Sequence, residues 1–426
     1  MVVGVVLFVA LASPTMAQAA PGWSATGAMS VERYHHTDTM LPNGKVLVAG
    51  GRNLTLTDLL ASAELYDPTT ATWSVTASMS VARAEHTATL MFDGRVLVAG
   101  GANQDGMGVA SAEIYDPATA TWTSTQSMSV GRSNHTATLL PTGNVLVTGG
   151  EGTASAELYD PTAGTWSAVA NMAEARADHT ATLLADGTRV LVAGGGEFGF
   201  SDTATAELYD VATGTWSAAP PMSRARFFYG ATLLASGQVL VSGGISGNGG
   251  TATAEIYSPT TNSWSAAGSM STDRGDYTPT LLANGKVLAA GGQTNVGPVS
   301  SADLYDPASN SWSPTQDMGI RRGGATATLL PSGVVLVAGG YTNNSANASA
   351  QLYTIDAQAP LAPVLTGSDP VSPANDNSPR IKGTAETGST VRLYTNASCN
   401  SSGPEVGSAA TFASPGLAVS VANDSS

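Results

Sequence analysis

Short runs that alternate between apolar and polar residues recur along the chain at intervals of 44 to 50 residues. The runs HTATLM and RVLVAG are joined through Asp93-Gly94, a dipeptide that tolerates the positive φ angles of a tight hairpin turn. The runs SAELYD and TWSV form a second predicted hairpin around Pro68. Each interval therefore predicts four short antiparallel strands.

Landmark residues mark seven copies of this unit. A pair of glycines ends the second predicted strand of each copy: Gly50-Gly51, Gly100-Gly101, Gly149-Gly150, Gly194-Gly195, Gly243-Gly244, Gly291-Gly292 and Gly339-Gly340. A tyrosine lies in each third strand: Tyr66, Tyr115, Tyr159, Tyr209, Tyr257, Tyr305 and Tyr353. Seven such sheets predict a β-propeller, because no sheet can bury both faces without neighbours and the ring must therefore close.

The seventh unit lacks the tryptophan that follows the tyrosine in the other six units, and it runs instead into TIDAQAPLAP. The stretch APGWSATGAMS at residues 20–30 carries Trp23 and has the composition of a unit's end, yet no complete unit precedes it. We therefore predict that residues 20–30 supply the fourth strand of the seventh blade. This pairing would close the ring and cover an open sheet edge.

The order of arginine, paired glycines, tyrosine and tryptophan within about fifty residues resembles the Kelch repeat. The resemblance covers about residues 20–356. It implies an all-β fold, a seven-bladed propeller in which each repeat forms one four-stranded blade and the first strand of each blade lines a central channel. The central domain of galactose oxidase is the best-known enzymatic relative.

The two ends of the chain differ from the repeats. Residues 1–19 are apolar and then small, and they end in Ala17-Gln18-Ala19, which fits a signal-peptidase site although no Lys or Arg precedes Arg33. They predict export from a bacterial-type cell, so the protein would be secreted, on the cell surface or periplasmic. After a linker at residues 357–363, residues 364–426 resemble a bacterial immunoglobulin-like β-sandwich that is incomplete.

The charge balance narrows the possible partners. The formal net charge is −15, and no basic patch is present, so nucleic acid is an unfavourable partner. Charged residues make up only 12% of the chain and there are 48 glycines, which favours short strands and tight turns. We expect no integral membrane segment after signal cleavage, because no later run is apolar for long enough to span a bilayer.

An arginine precedes the first glycine of each pair by 17 or 18 residues: Arg33, Arg83, Arg132, Arg176, Arg226, Arg274 and Arg322. An acidic residue lies two positions before the tyrosine in six units, and Gln351 takes this place in the seventh. A buried guanidinium needs several acceptors, and a carboxylate can supply some of them. We predict that these arginines bond blade to blade, with ligand binding as the alternative.

The third residue after these arginines is aromatic or heteroaromatic in six units: His36, His86, His135, His179, Tyr229 and Tyr277. The resemblance places these residues on the channel side of the blades. A partial ring of imidazoles could hold a metal ion. Symmetric placement spreads such side chains apart, however, so we predict local hydrogen bonds, no metal and no cofactor.

The loop between the second and third strands varies from 3 to 9 residues, whereas the two hairpin turns hardly vary. These loops should open on the face where the arginine segments begin, and loops on a rigid scaffold often carry function. We expect them to form a recognition rim for a protein or a sugar, with candidate residues Asp105, Phe198, Phe200, Asp202 and Tyr341. Solvated loops without a ligand are the alternative.

Catalysis has little support in the sequence. The resemblance to galactose oxidase implies a copper site with a tyrosine cross-linked to a cysteine, but the single cysteine, Cys399, lies beyond the repeats. No position assembles an acid, a base and a nucleophile, so the catalytic residues are unassigned. We predict a binding protein for a protein or glycan ligand; an extracellular carbohydrate-active or oxidising enzyme and a structural surface module are the alternatives.

Overall fold

The computed structural model describes residues 22–355, apart from 54–58, 198–200, 248 and 344, together with five strands beyond residue 355. The chain divides into a unit that ends at Thr354 and a second unit that begins at Ile355. In the second unit the described strands form two antiparallel sheets, Val364–Asp369 with Arg380–Thr384 and Leu417–Ala418, and Thr390–Arg392 with Glu405–Ser408. The leader, the linker and Cys399 lie outside the described residues, and the immunoglobulin-like assignment stays a prediction.

In the described part of the first unit, seven antiparallel sheets each have four strands hydrogen-bonded in the order one to four, and three two-stranded sheets lie in loops. The strands of blades one to three are Thr37–Met40, Val46–Ala49, Ala63–Asp67, Thr72–Thr76; Thr87–Leu90, Val96–Ala99, Ala112–Asp116, Thr121–Ser124; and Thr136–Leu139, Val145–Thr148, Ala156–Asp160, Thr165–Ala168. Those of blades four and five are Thr180–Leu183, Arg189–Ala193, Ala206–Asp210, Thr215–Ala219; and Gly230–Leu233, Val239–Ser242, Ala254–Ser258, Ser263–Ala267. Those of blades six and seven are Thr280–Leu281, Val287–Ala290, Ala302–Asp306, Ser311–Thr315; and Thr326–Leu329, Val335–Ala338, Ala350–Thr354, Gly22–Ala25.

The blades form a closed circle. The first strand of each blade contacts the first strands of both neighbours, and blade one contacts blade seven in the same way. First strands therefore surround the central axis, and a seven-bladed all-β propeller is confirmed. In the described part of the chain, no helix is long and apolar enough to cross a membrane.

The circle is closed by the N-terminal strand, as predicted. Gly22–Ala25 pairs antiparallel with the third strand of blade seven, so that Trp23 faces Tyr353. The two rings lie 4.9 Å apart, which matches the 5.0–5.2 Å of the other six Tyr–Trp pairs. The Trp23 indole also donates to the Gln316 carbonyl at 2.7 Å. Residues at the two ends of the propeller thus build one blade.

The hydrophobic core lies between neighbouring blades. One buried cluster, for example, joins Leu47 and Ala63 of blade one to Val96, Val98 and Tyr115 of blade two. The second strand is the most deeply buried in each blade, with the burial expected of a strand covered on both faces. Because each core is shared, the stability of a blade depends on both of its neighbours.

The paired glycines allow the blades to approach closely. The second glycine of each pair donates its N–H to the carbonyl of the next blade's arginine at 2.7–2.9 Å, all around the circle. A Cβ atom at Gly50 would lie 2.5 Å from the Arg83 carbonyl oxygen, and both Gly50 and Gly51 have positive φ. Any other residue at this pair would therefore push two blades apart.

Deleting residues 20–30 tests the closure. The deletion leaves blade seven with three strands and removes the half-buried Trp23 together with the buried Met29. Losses of such large apolar side chains cost about 3–5 kcal/mol in mutational series. At about 2 °C per kcal/mol for a large domain, we expect the melting temperature to fall by at least ~6 °C in a thermal unfolding experiment. A chain that lacks only residues 1–19 is the control and should melt like the full chain. An unchanged melting temperature after the longer deletion would refute the closure.

Candidate binding site at the mouth of the central channel

The seven repeated arginines are fully buried parts of the scaffold. The Arg33 guanidinium donates to the Gly50 carbonyl at 2.8 Å, to the Ser62 carbonyl at 3.0 Å and to Glu64 Oε1 at 3.1 Å. Equivalent bonds form in the other blades. Each guanidinium therefore binds within its own blade, whereas its backbone carbonyl accepts the glycine N–H of the preceding blade.

The seventh blade departs from this pattern because Gln351 replaces the acid. Arg322 donates to Gln351 Oε1 at 3.3 Å, and burial without a carboxylate lowers the pKa of Arg322 to about 10. The Gln351 amide donates in turn to the Met318 carbonyl at 2.8 Å. The uncharged partner thus keeps the bond to the guanidinium, but it donates to a backbone carbonyl where the carboxylates of other blades accept a backbone N–H. It also leaves the guanidinium without a counter-charge.

The six aromatic positions on the channel side bond to neighbouring blades. Nε2 of His36, His86, His135 and His179 each lies 3.0 Å from a threonine Oγ1 on the first strand of the preceding blade. Burial lowers the pKa of all four imidazoles, to about 3 for His86 and His179. Burial raises the pKa of Tyr229 and Tyr277 to about 12. These six side chains are therefore uncharged at neutral pH.

The residues that precede this repeat position in all seven blades form a second ring. All seven have a left-handed backbone with φ between 50° and 59°. Each donates its N–H to the carbonyl of the corresponding residue in the preceding blade at 2.8–3.3 Å, so the bonds form a closed cycle. The members of this mouth ring are His35, Glu85, Asn134, Asp178, Phe228, Asp276 and Gly324.

The mouth ring lines a cavity of about 280 Å³ at one end of the channel. Unlike the scaffold arginines, its seven members comprise six different residue types. The repeat pattern does not single out this position, because its residues do not recur. The available signal was the opposite one, namely two variable positions between an invariant arginine and an imidazole or phenol that recurs in six units.

His35 links two carboxylates of the mouth ring. Its Nε2 lies 3.1 Å from Asp276 Oδ2, and its Nδ1 lies 3.4 Å from Glu85 Oε1. Burial would lower the pKa of His35, but the two carboxylates outweigh it and raise this pKa to about 10. Burial likewise opposes ionisation of Glu85, yet His35 and Arg52 hold its pKa at about 2. At neutral pH, His35 is therefore an imidazolium between two carboxylates.

Glycines in blade seven make this bridge possible. A Cβ atom on Gly324 would lie 2.6 Å from the His35 ring, and one on Gly323 would lie 2.5 Å from the Tyr341 ring. Without side chains there, His35 of blade one reaches across blade seven to Asp276 of blade six. The Tyr341 hydroxyl also donates to Asp276 Oδ2 at 3.1 Å, and burial together with Asp276 raises the pKa of Tyr341.

On the opposite side of the mouth ring, fewer side chains form hydrogen bonds or ion pairs. Asn134 donates to Glu151 Oε1 at 3.2 Å. Among the described residues, the Asp178 carboxyl has no hydrogen-bond or ion-pair partner. Burial, followed by the negative charges of Glu85 and Asp276, raises the pKa of Asp178 well above its ordinary value.

The residues predicted to form the recognition rim lie at different distances from the mouth ring and in different surroundings. The loops do open on the face of the mouth ring, since Phe227 pairs with Ile245 and Gly323 with Tyr341. Tyr341 reaches the cavity wall, whereas the Asp202 carboxylate accepts the Gly247 N–H of the next loop. Asp105 lies in an exposed turn whose N–H groups bond Asn103. Phe198 and Phe200 lie outside the described residues.

Comparisons with known proteins agree with this architecture. The Kelch motif matches residues 40–80, 84–129, 230–271 and 279–319, and no curated protein matches the sequence. A solved fungal alcohol oxidase of the AA5 family, in complex with copper, is similar over 87% of this chain and 85% of its own, with a TM-score of 0.65 and 18% identity. The structure of YjhT is similar over 68% of this chain and 99% of its own, with a TM-score of 0.54 and 16% identity.

The fold and the mouth ring define a seven-bladed β-propeller with a polar site at one end of its channel. Kelch motifs are present in four of its repeats, and together with the seven-bladed propeller they confirm the resemblance read from the sequence. Similarity at these identities concerns the fold alone. Residues 22–354 contain no cysteine, so they cannot form a tyrosine–cysteine cross-link. Among the described residues, no three His, Cys, Asp or Glu side chains are arranged to hold a metal ion.

The His35 bridge predicts a pH dependence. Because the folded-state pKa of His35 is raised to about 10, its stabilisation is complete below about pH 6.5 and is lost as the pH rises through 10. We expect His35→Gln to lower the melting temperature by several degrees at pH 6 and by progressively less toward pH 10. His86→Gln is the control, because the folded-state pKa of His86 is lowered to about 3. Its stabilisation is therefore complete above about pH 6.5 and weakens only at lower pH, so the loss in His86→Gln should not shrink toward pH 10. A loss that is independent of pH in His35→Gln would contradict the bridge.

Proposed function

We propose that this protein is an exported interaction protein that recognises a protein or a glycan through the face formed by its strand two–three loops. Export is proposed from the leader-like sequence of residues 1–19. The Kelch propeller fold is consistent with a binding module, since Kelch propellers generally mediate protein interactions.

One observation carries the proposal: repeat symmetry fails at the mouth ring and holds almost everywhere beneath it. A scaffold position needs the same group in every blade, as the buried arginines illustrate. A recognition site needs unlike groups at one place, and the mouth ring combines an imidazolium, carboxyls, an amide and an aromatic ring around one cavity. Unlike groups on a rigid frame favour one ligand over others.

The loops around the mouth support each other, which favours a preorganised surface. Asp202 of blade four accepts an N–H from Gly247 of blade five. Asn295 of blade six accepts the N–H of Gly250, also of blade five, at 2.9 Å. Three of the loops are two-stranded ribbons: Gly196–Glu197 with Ser201–Asp202, Ile245–Ser246 with Gly249–Gly250, and Gln293–Thr294 with Gly297–Pro298. Preorganised loops lose little conformational entropy when a partner binds.

An enzyme on the same face is the second candidate. Glu85 and Asp178 face one cavity, and their pKa values are shifted in opposite directions. Such a pair can divide the roles of base and acid between two carboxyl groups. A panel of glycans tests this candidate: turnover that disappears in both Glu85→Gln and Asp178→Asn would favour it, and no turnover by the full chain would argue against it.

Loop replacement tests the interaction proposal. We would replace residues 102–109 and 196–203 by the three-residue loop EGT of blade three, whose last carbonyl accepts the Arg176 N–H. We expect binding to glycan or surface-protein arrays to fall at least tenfold while the melting temperature stays within a few degrees. The control is Phe92→Ala, an exposed position beside a strand one–two turn, at the opposite end of the strands.

Binding that survives the loop replacement would refute the assignment of the face. If the full chain binds nothing on either array, a structural module of a larger assembly becomes the better description.

A further inference from the structure

The carboxyl groups of the mouth ring are spaced around the cavity. Glu85, Asp178 and Asp276 come from blades two, four and six, so every second blade contributes one acid. Glu151, which accepts from Asn134, adds a fourth carboxyl group nearby. Acids from alternate blades surround the axis, and they do not converge on one point as metal ligands would.

Positive charge at the mouth is confined to one side. His35 lies between Glu85 and Asp276, and Arg52 pairs with Glu85 at 3.2 Å. The other imidazoles and phenols that line the cavity are uncharged, and the scaffold arginines bond inside their own blades. Two cationic groups therefore face four carboxyl groups, and both cations lie away from Asp178.

Asp178 is the acid that this arrangement leaves without a partner among the described residues. It is half-buried in the cavity wall next to Phe228, whose N–H donates to the Asp178 carbonyl at 3.3 Å. Phe228 lines the same cavity. A carboxyl group beside an aromatic residue, in a field of further negative charge, attracts an organic cation.

We propose that the mouth of the channel binds a primary ammonium group, with Asp178 as its counter-ion and Phe228 as its aromatic wall. The cation restores the charge balance of the mouth ring and allows Asp178 to ionise, so one proton leaves as the ammonium group enters. The group is carried either by a lysine side chain of a partner protein or by a free amine. This inference deepens the proposed function, because it names the chemistry by which the loop face would select a partner.

The cavity can hold a ligand of this size. Its volume of about 280 Å³ exceeds the roughly 150 Å³ of an engineered cavity that accommodates benzene. An alkylammonium chain of four or five carbons therefore fits, with its charged end at the mouth ring.

Calorimetric titration of the full chain with n-butylammonium chloride tests the site. We expect one saturable site, release of up to one proton per ligand when buffers of different ionisation enthalpy are compared, and an affinity that rises with pH while Asp178 is protonated in the free protein. Asp178→Asn should bind at least tenfold more weakly and release no proton. Asp93→Asn removes an exposed carboxylate from a strand one–two turn at the opposite end of the strands, and this variant should bind like the wild type.

Further probes separate the possible outcomes. Equal binding of n-butanol, tighter binding of calcium chloride at the same site, or full binding by Asp178→Asn would each overturn the proposal. If Asp178→Asn fails to fold, Phe228→Leu should still weaken binding, and the pH dependence of the wild type needs no variant.

The source of the ammonium group is a separate question. A capped Gly-Lys-Gly peptide that binds more tightly than n-butylammonium assigns the group to a protein partner, and the reverse order assigns it to a free amine. The loop-replaced variant should still bind n-butylammonium even where partner binding is lost, so failure of the proposed function and failure of the ammonium site give different results.

Discussion

The segment that carries each scaffold arginine holds neighbouring blades at a fixed angle. Its guanidinium bonds to the second and third strands of its own blade, and its carbonyl accepts the glycine N–H of the preceding blade. Two residues after the arginine lies a member of the mouth ring, and its N–H donates to the carbonyl of the mouth-ring residue in the preceding blade. Apolar contact between sheets alone has little directionality, whereas these three sets of bonds specify both distance and orientation. A buried guanidinium that lost its acceptors would carry the full cost of desolvation.

This arrangement also explains why the mouth ring can vary. The cycle of hydrogen bonds provides partners for the backbone N–H and carbonyl of each member, so its side chain is not needed to hold the blades together. A left-handed backbone costs an ordinary residue about 1 kcal/mol or more, and glycine would avoid that cost. Glu85 and Phe228 are poor choices for such a backbone, yet they occur there. Strain that recurs at one position, with unlike side chains, is typical of positions kept for recognition.

The sequence predicted the fold well because the fold is a repetition. Each repeated residue occurs about seven times at the same spacing, which a chance match would not produce. The position of Trp23, ahead of the first complete unit, indicated how the circle closes. The site was harder to predict. His35 and Asp276 are separated by 241 positions and meet only because the ring closes and Gly324 leaves room between them. The loops did point to the correct face, and Tyr341 bonds to Asp276 in the cavity wall. The variable residue beside each histidine, however, was hidden among the repeated ones.

The pairing that closes blade seven also determines on which side of the propeller its two chain ends lie. Gly22 and Thr354 are paired in register, at the end of the third strand and the beginning of the fourth. These strand ends lie on the side of the ring remote from the mouth, since the strand two–three loops are at the other ends of the same strands. The chain therefore enters and leaves the propeller at one point on its far side. A polypeptide that continues from either residue therefore starts at the end of the blade opposite the channel mouth.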